Sequence, residues 1–415
     1  MKDVGEEKLL NEVINFYLGS SSFNGLPIYD IDDYDIEAMV ELINEGMVEA
    51  ISEKDVLNPH IKGFELGLSK KHQIENAKDV DLHTCFYPTD KALEKVKVDY
   101  QRPYTALMQN GKAQFDIIFF DVEILERYNN NPRFLIMDNG YRGCISVKDE
   151  FYEESGENEY IKDYGMAYID GEKLNRAIGV FVIDLAKLSP RIQMLWKGFE
   201  LEDQDSCKIN DGFVKNLLEG RWVTQHWIFH ALLDEMKVIN EQCKKMELPE
   251  LFAHVYGTGY NEMPEGYRSI LLPTLKNYYD FVLVMEKLVV HNISIKTFQK
   301  DSLLIAKIER KDGDGKDKGS IVMLQEWLKR NVSSNFDIDE VIINPIKYIR
   351  KIRQVPAHEL TNNKYDIDVY EKQKELMVNT YGAIRAIRIL FMGHPLAKDV
   401  KIPEYLLQGK DIVFY

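Results

Sequence analysis

Arg353 and His358 stand with four residues between them in the segment KYIRKIRQVPAHEL, 347 to 360. An arginine placed beside a histidine suits phosphodiester chemistry. The guanidinium clamps and neutralises a phosphate, and the imidazole moves a proton near neutral pH. Neither a metal nor another cofactor is required. Lys347, Arg350, Lys351 and Arg353 put four cations within seven residues, while Ile346, Ile349 and Ile352 recur at helical spacing. The segment therefore predicts a helix that is basic outside and apolar inside. Pro356 does not fit a helix interior, so the helix is expected to end or kink near Gln354 and to turn over Val355 to Ala357. Such a turn would bring Arg353, on the last helical turn, close to His358 at the start of the next segment.

The pattern of an arginine, four intervening residues and a histidine matches the R-x4-6-H signature, and this part of the chain resembles the HEPN family. HEPN proteins are α-helical domains that include many metal-independent ribonucleases of toxin, CRISPR-associated and phage-defence systems. The resemblance covers 212 to 415 at most, and its specific part is the motif region. It implies a helical bundle that dimerises, so that two motifs face each other across a shared cleft. It further implies an RNA endonuclease in which His358 acts on the ribose 2′-hydroxyl or the leaving group, Arg353 stabilises the phosphorane, and a cyclic phosphate is left. Gln354 stands where the family more often carries Asn, Asp or His, and its amide would orient His358. Arg350, Lys351 and Lys347 would then support RNA phosphate.

Other constellations compete. His226, His230 and Asp234 in HWIFHALLD have the spacing that puts two imidazoles and a carboxylate on one helix face, a set able to bind zinc or iron. Trp227 occupies the place of the glutamate that a zincin needs, and packing of this Trp-rich helix is the alternative. Asp121 and Glu123 follow the apolar run FDIIFF in the D-x-E pattern of two-metal exonucleases, with Asp184 as a further carboxylate, or else they simply start a helix. Asp312 and Asp314 in KDGDGKDKG open like a calcium loop, yet Met323 stands at the closing position, which favours a surface turn. Phosphate loops, dinucleotide fingerprints, nucleophile elbows and kinase signatures are missing from the sequence.

The elements that must carry these groups divide by texture. IEAMVELINEG, 36 to 46, sets Ile36, Met39, Val40 and Ile43 on one helical face before a glycine stop and a short strand, a possible winged-helix-like start. The stretch from Asn58 to Tyr104 is expected to be irregular or made of short elements, with Pro59, Pro88 and Pro103 among polar residues. FDIIFF, RFLIM, GCISV and AIGVFVIDL are expected strands, and 149 to 160 an acidic loop. Beyond Pro190 the periodicity is helical, in 212 to 243, in 271 to 290 and in three later segments. The fold class expected is α+β, with a mixed α/β region over 1–190 acting as sensor or regulator and a mostly α-helical, HEPN-like bundle over 191–415.

Charge and composition bound the function. The net charge is −16, which argues against a protein that coats DNA. The acidity is uneven: 320 to 415 holds 14 Lys+Arg and 12 Asp+Glu, a net of +2, which leaves −18 for 1 to 319. Cys85, Cys144, Cys207 and Cys243 form no CxxC pair, and no run reaches the ~18 apolar residues of a membrane span. A soluble, cytoplasmic protein without a membrane role is expected. The expected activity is that of a homodimeric, metal-independent endoribonuclease of a bacterial defence or toxin system, acting on RNA under a protein or phage-derived trigger. The competing reading is a non-catalytic helical dimerisation or interaction module with an N-terminal ligand- or protein-recognition domain.

Overall fold

The computed structural model describes residues 2–19, 23–62, 66–94, 96, 101–110, 112–223, 225–259, 262–269, 272–358 and 362–414; the side chains of 2–4, 173–174 and 356–358 fall outside that description. Two compact units are formed, one of Met1–Leu135, Cys144–Gly171 and Arg176–Ile209, the other of Ile136–Gly143, Glu172–Asn175 and Asn210–Tyr415. The architecture is α+β with antiparallel sheets. A two-residue parallel pairing of His226–Trp227 with Ile412–Val413 stands apart from them.

The first unit begins with α1 (Lys2–Gly19), β1 (Leu26–Pro27), α2 (Ile36–Asn44), β2 (Val48–Ser52), α3 (Lys70–Lys78) and β3 (Thr84–Pro88). Its three strands pair antiparallel in the order β1-β3-β2. Asp35 caps α2, its carboxylate accepting the N–H groups of Glu37 and Ala38 at 3.0 and 3.1 Å. Gly46, with φ of +69°, closes the other end. Met39 and Ile43 are buried as the periodicity requires, joined by Ala38 and Leu42, while Ile36 and Val40 lie at the margin. The exposed side of α2 carries Glu37 and Glu41, with Glu45 just beyond it. Those carboxylates would repel DNA phosphate, so this helix lacks the cationic face of a DNA reader. Thr84–Pro88, from the stretch expected to be irregular or made of short elements, is the buried central strand of this sheet.

A second sheet runs in the order β4-β8-β7-β6-β5, built from β4 (Ile117–Asp121), β5 (Phe134–Asp138), β6 (Arg142–Val147), β7 (Asp163–Ile169) and β8 (Glu172–Phe181), with β9 (Cys207–Ile209) pairing on β7. Strands appear at FDIIFF, RFLIM and GCISV. The run AIGVFVIDL divides, because β8 stops at Phe181 and Val182–Ala186 turns helical. Asp170 and Gly171 both take positive φ, +53° and +73°, which is the turn that matches the twist of a tight β7–β8 hairpin. Trp196 on α4 (Pro190–Lys197) is fully buried, its ring centroid 4.9 Å from Phe120 at 89°, and its Nε1 donates to the Tyr128 hydroxyl at 3.1 Å. That anchor keeps α4 with the sheet, so the first unit extends to Ile209, past the division at 190 drawn from texture.

The second unit is mostly helical: α5 (Ile228–Lys245), α6 (Leu275–Met285), α7 (Ser320–Asn331), α8 (Asn344–His358) and α9 (Val369–Met392). They share one apolar core that includes Phe281, Trp327, Ile346, Ile349, Leu376 and Phe391. Across the α5–α9 contact, the Arg388 guanidinium reaches both carboxylate oxygens of buried Glu235, at 2.5 and 3.3 Å, and Nη2 also donates to the Leu406 carbonyl at 3.2 Å. Burial raises the Glu235 carboxyl pKa, against the opposing pull of Arg388. A π-turn, Glu286–Val290, extends α6, and a second, Asp339–Ile343, leads into α8. Among the described residues no helix is long and apolar enough to cross a membrane.

Candidate functional site

α8 carries the candidate residues. Ile346 and Ile349 are fully buried, and Ile352 packs partly buried against the same core. The opposite side exposes Lys347, Tyr348, Arg350, Lys351, Gln354 and Val355. The isoleucine stripe thus fixes which way the cations point. Lys347 is tethered, its Nζ donating to Gln325 Oε1 on α7 at 3.2 Å. Arg350 and Lys351 have no ion-pair partner among the described residues.

The helix does not end at Gln354. It runs through Pro356 to His358, so no turn separates Arg353 from His358. Proline has no N–H to give the Ile352 carbonyl, a local cost on the order of 3 kcal/mol. The apolar stripe and the core it enters outweigh that local preference. On a continuous α-helix five residues amount to about 140° of rotation and about 7.5 Å of rise, so the two positions leave the backbone on different sides of α8. The His358 side chain lies outside the described residues.

Arg353 has a partner that sequence reading missed. Its Nε lies 3.2 Å from Oε2 of Glu286, whose side chain is 3% exposed, whereas 42% of the Arg353 side chain is open. Oε2 accepts no aligned hydrogen bond among the described residues, so the contact is a charge pairing whose angle falls short of a hydrogen bond. The other oxygen, Oε1, lies 3.7 Å from Nε2 of His291, a side chain that is 61% exposed. Glu286 was visible in the sequence only as a lone carboxylate inside the apolar run FVLVMEKLVV. Nothing there indicated that α8 would supply its counter-charge.

The remaining constellations resolve into local structure. His226 is in a short strand, before α5 begins at Ile228, so it does not share a helix face with His230 and Asp234. Its ring stacks on Tyr405 at 3.7 Å, and the Tyr405 hydroxyl donates to Asp234 Oδ2 at 2.5 Å. His230 packs edge-on against Trp227, and burial lowers its pKa to about 4. Asp121 accepts the Glu123 N–H at 2.8 Å in a local turn, and Asp184 pairs with Lys187 at 2.9 Å. Asp312 Oδ1 accepts the N–H groups of Asp314 and Lys316 at 3.0 and 2.9 Å, which closes a surface turn. Among the described residues no group of three or more His, Cys, Asp or Glu side chains is placed to hold a metal ion.

Each element therefore contributes one part to the candidate site: α8 an open cation, the π-turn after α6 a buried carboxylate, and the residue following that turn an exposed imidazole. Compared with known proteins, the chain matches no family model, no curated protein and no solved structure.

Proposed function

We propose that the helical unit is a HEPN-like, metal-independent endoribonuclease domain, with Arg353 as its phosphate clamp. The observation that carries this reading is the state of Arg353: a buried carboxylate holds its Nε, while much of the side chain remains open, one turn along α8 from exposed Arg350. A guanidinium held from behind keeps its outer nitrogens for a bidentate phosphate contact. In the proposed reaction the ribose 2′-hydroxyl gives its proton to a neutral imidazole, assigned by the family resemblance to His358. The freed oxygen bonds to phosphorus, the bond from phosphorus to the 5′-oxygen breaks, and that oxygen takes the proton back. The products are a 2′,3′-cyclic phosphate and a 5′-hydroxyl.

The test is incubation of the purified chain with total RNA in EDTA beside Arg353→Ala and His358→Ala. Cleavage that survives EDTA and is lost in both variants supports the reading. Cleavage lost only in Arg353→Ala removes His358 from the reaction, and no cleavage with or without a trigger removes the activity.

A second reading, a non-catalytic dimerisation module, is favoured by Tyr348 and Val355. They are seven residues apart on the outer side of α8 and are 42% and 39% exposed. Two turns apart on one face, they are spaced as a helix would be to pack against a second helix. Under this reading Tyr348→Lys abolishes self-association in sedimentation, and no RNA is cut.

A further inference from the structure

The same spacing of five residues occurs twice at this site with opposite results. Arg353 and His358 lie on an α-helix, which rotates residues five apart away from each other. Glu286 and His291 span a π-turn, whose defining bond links residues five apart: the His291 N–H donates to the Glu286 carbonyl at 3.0 Å. That bond stacks the two residues on one side, and their side chains meet at 3.7 Å. Glu286 thereby touches an arginine with one oxygen and an imidazole with the other, from a site almost without solvent. A buried carboxylate is retained at such a place only when a counter-charge compensates it, and the Arg353 guanidinium supplies one.

We infer that Arg353, Glu286 and His291 form one phosphate-binding unit, in which Glu286 positions the arginine and His291 is a second side chain that touches the phosphodiester. The inference rests on the reading of this surface as an RNA site, and it adds two residues to it. Arg353 and His291 both have open side chains, and both approach the same carboxylate, at 3.2 and 3.7 Å, so a phosphate at this point would meet two donors. The carboxylate itself is buried away from solvent.

A 2′-O-methylated RNA oligonucleotide cannot be cleaved through its 2′-oxygen, so its binding, measured by fluorescence anisotropy at low salt, is independent of turnover. His291→Ala and Glu286→Gln are each expected to weaken binding about ten-fold, the range of one charge-assisted contact. Glu286→Asp, which keeps the charge, should recover part of the loss. The double variant Glu286→Gln/Arg353→Ala should bind no more weakly than Arg353→Ala, because Glu286 acts through the arginine. Binding by His291→Ala at the unaltered level, or additive losses in the double variant, overturns the inference. If Arg353→Ala alone weakens binding, the RNA reading stands and the three-residue unit falls. If Arg353→Ala also binds normally, or the unaltered chain does not bind, both fall. His291 is exposed, so its substitution keeps the test valid should Glu286→Gln fail to fold.

Discussion

Arg388 on α9 is paired with Glu235 on α5 at a point where the two side chains are 2% and 0% exposed. The pair fixes how the two helices meet, since the guanidinium also holds the Leu406 carbonyl and so ties the C-terminal segment to the same spot. Removing one partner strands a charge. Arg388→Ala should destabilise the fold by about 3–5 kcal/mol, and the paired replacement Arg388→Met/Glu235→Leu by far less. Guanidinium unfolding followed by circular dichroism checks both, and equal losses in the two would refute the argument.

Acid should weaken the fold through His230. Burial lowers its imidazole pKa to about 4, below the ordinary 6.5. A depressed value means that the unfolded chain takes up the proton first. The stabilisation is complete above about pH 6.5 and declines as the pH falls toward 4, by at most about 3 kcal/mol. Urea midpoints collected across that window should fall in the unaltered chain and fall less in His230→Gln.

Pro356 should cost stability where it stands. Because α8 continues through it, Pro356→Ala restores a helix N–H without changing the path of the chain, and should stabilise by about 1 kcal/mol or more. A thermal midpoint that drops would mean that the chain turns at this proline, as the sequence alone suggests.

The cations of α8 should not be equivalent. Lys347 is already held by Gln325, whereas Arg350 and Lys351 are open. Arg350→Ala and Lys351→Ala should each lower the slope of log affinity against log salt for single-stranded RNA by about 0.7, and Lys347→Ala by less. An anisotropy series over several salt concentrations reads the three slopes. Identical slopes would show that the tether does not matter.

Features set by neighbours in the chain could be read in advance. The inward stripe of Ile346, Ile349 and Ile352, the Gly46 stop after α2, and the strands at FDIIFF, RFLIM and GCISV all follow from local spacing. What escaped depends on distant partners. Thr84–Pro88 is a strand because β1 and β2 flank it, and Asp163–Ile169 is one because β6, β8 and β9 pair with it. Pro356 obeys the core beneath α8 against its own preference. The Arg353 partner lies 67 positions back, in an apolar run interrupted only by Glu286 and Lys287. The histidine stripe at 226 to 234 failed for the reverse reason: its spacing was correct for a helix, and the helix began two residues too late.

The two π-turns let this surface absorb a change in chain length. A π-turn holds one residue more than the α-helical turn it replaces, and the faces before and after it stay in step. Deleting one residue from 287–290 would let α6 continue as a plain α-helix, and His291 would then stand four residues from Glu286, a spacing that an α-helix also brings to one face. Deleting one from 339–343 would likewise leave the isoleucine stripe of α8 in phase with its core. A homologous chain one position shorter at either turn should therefore still assemble this surface, whereas one that loses a residue inside α8 itself should not.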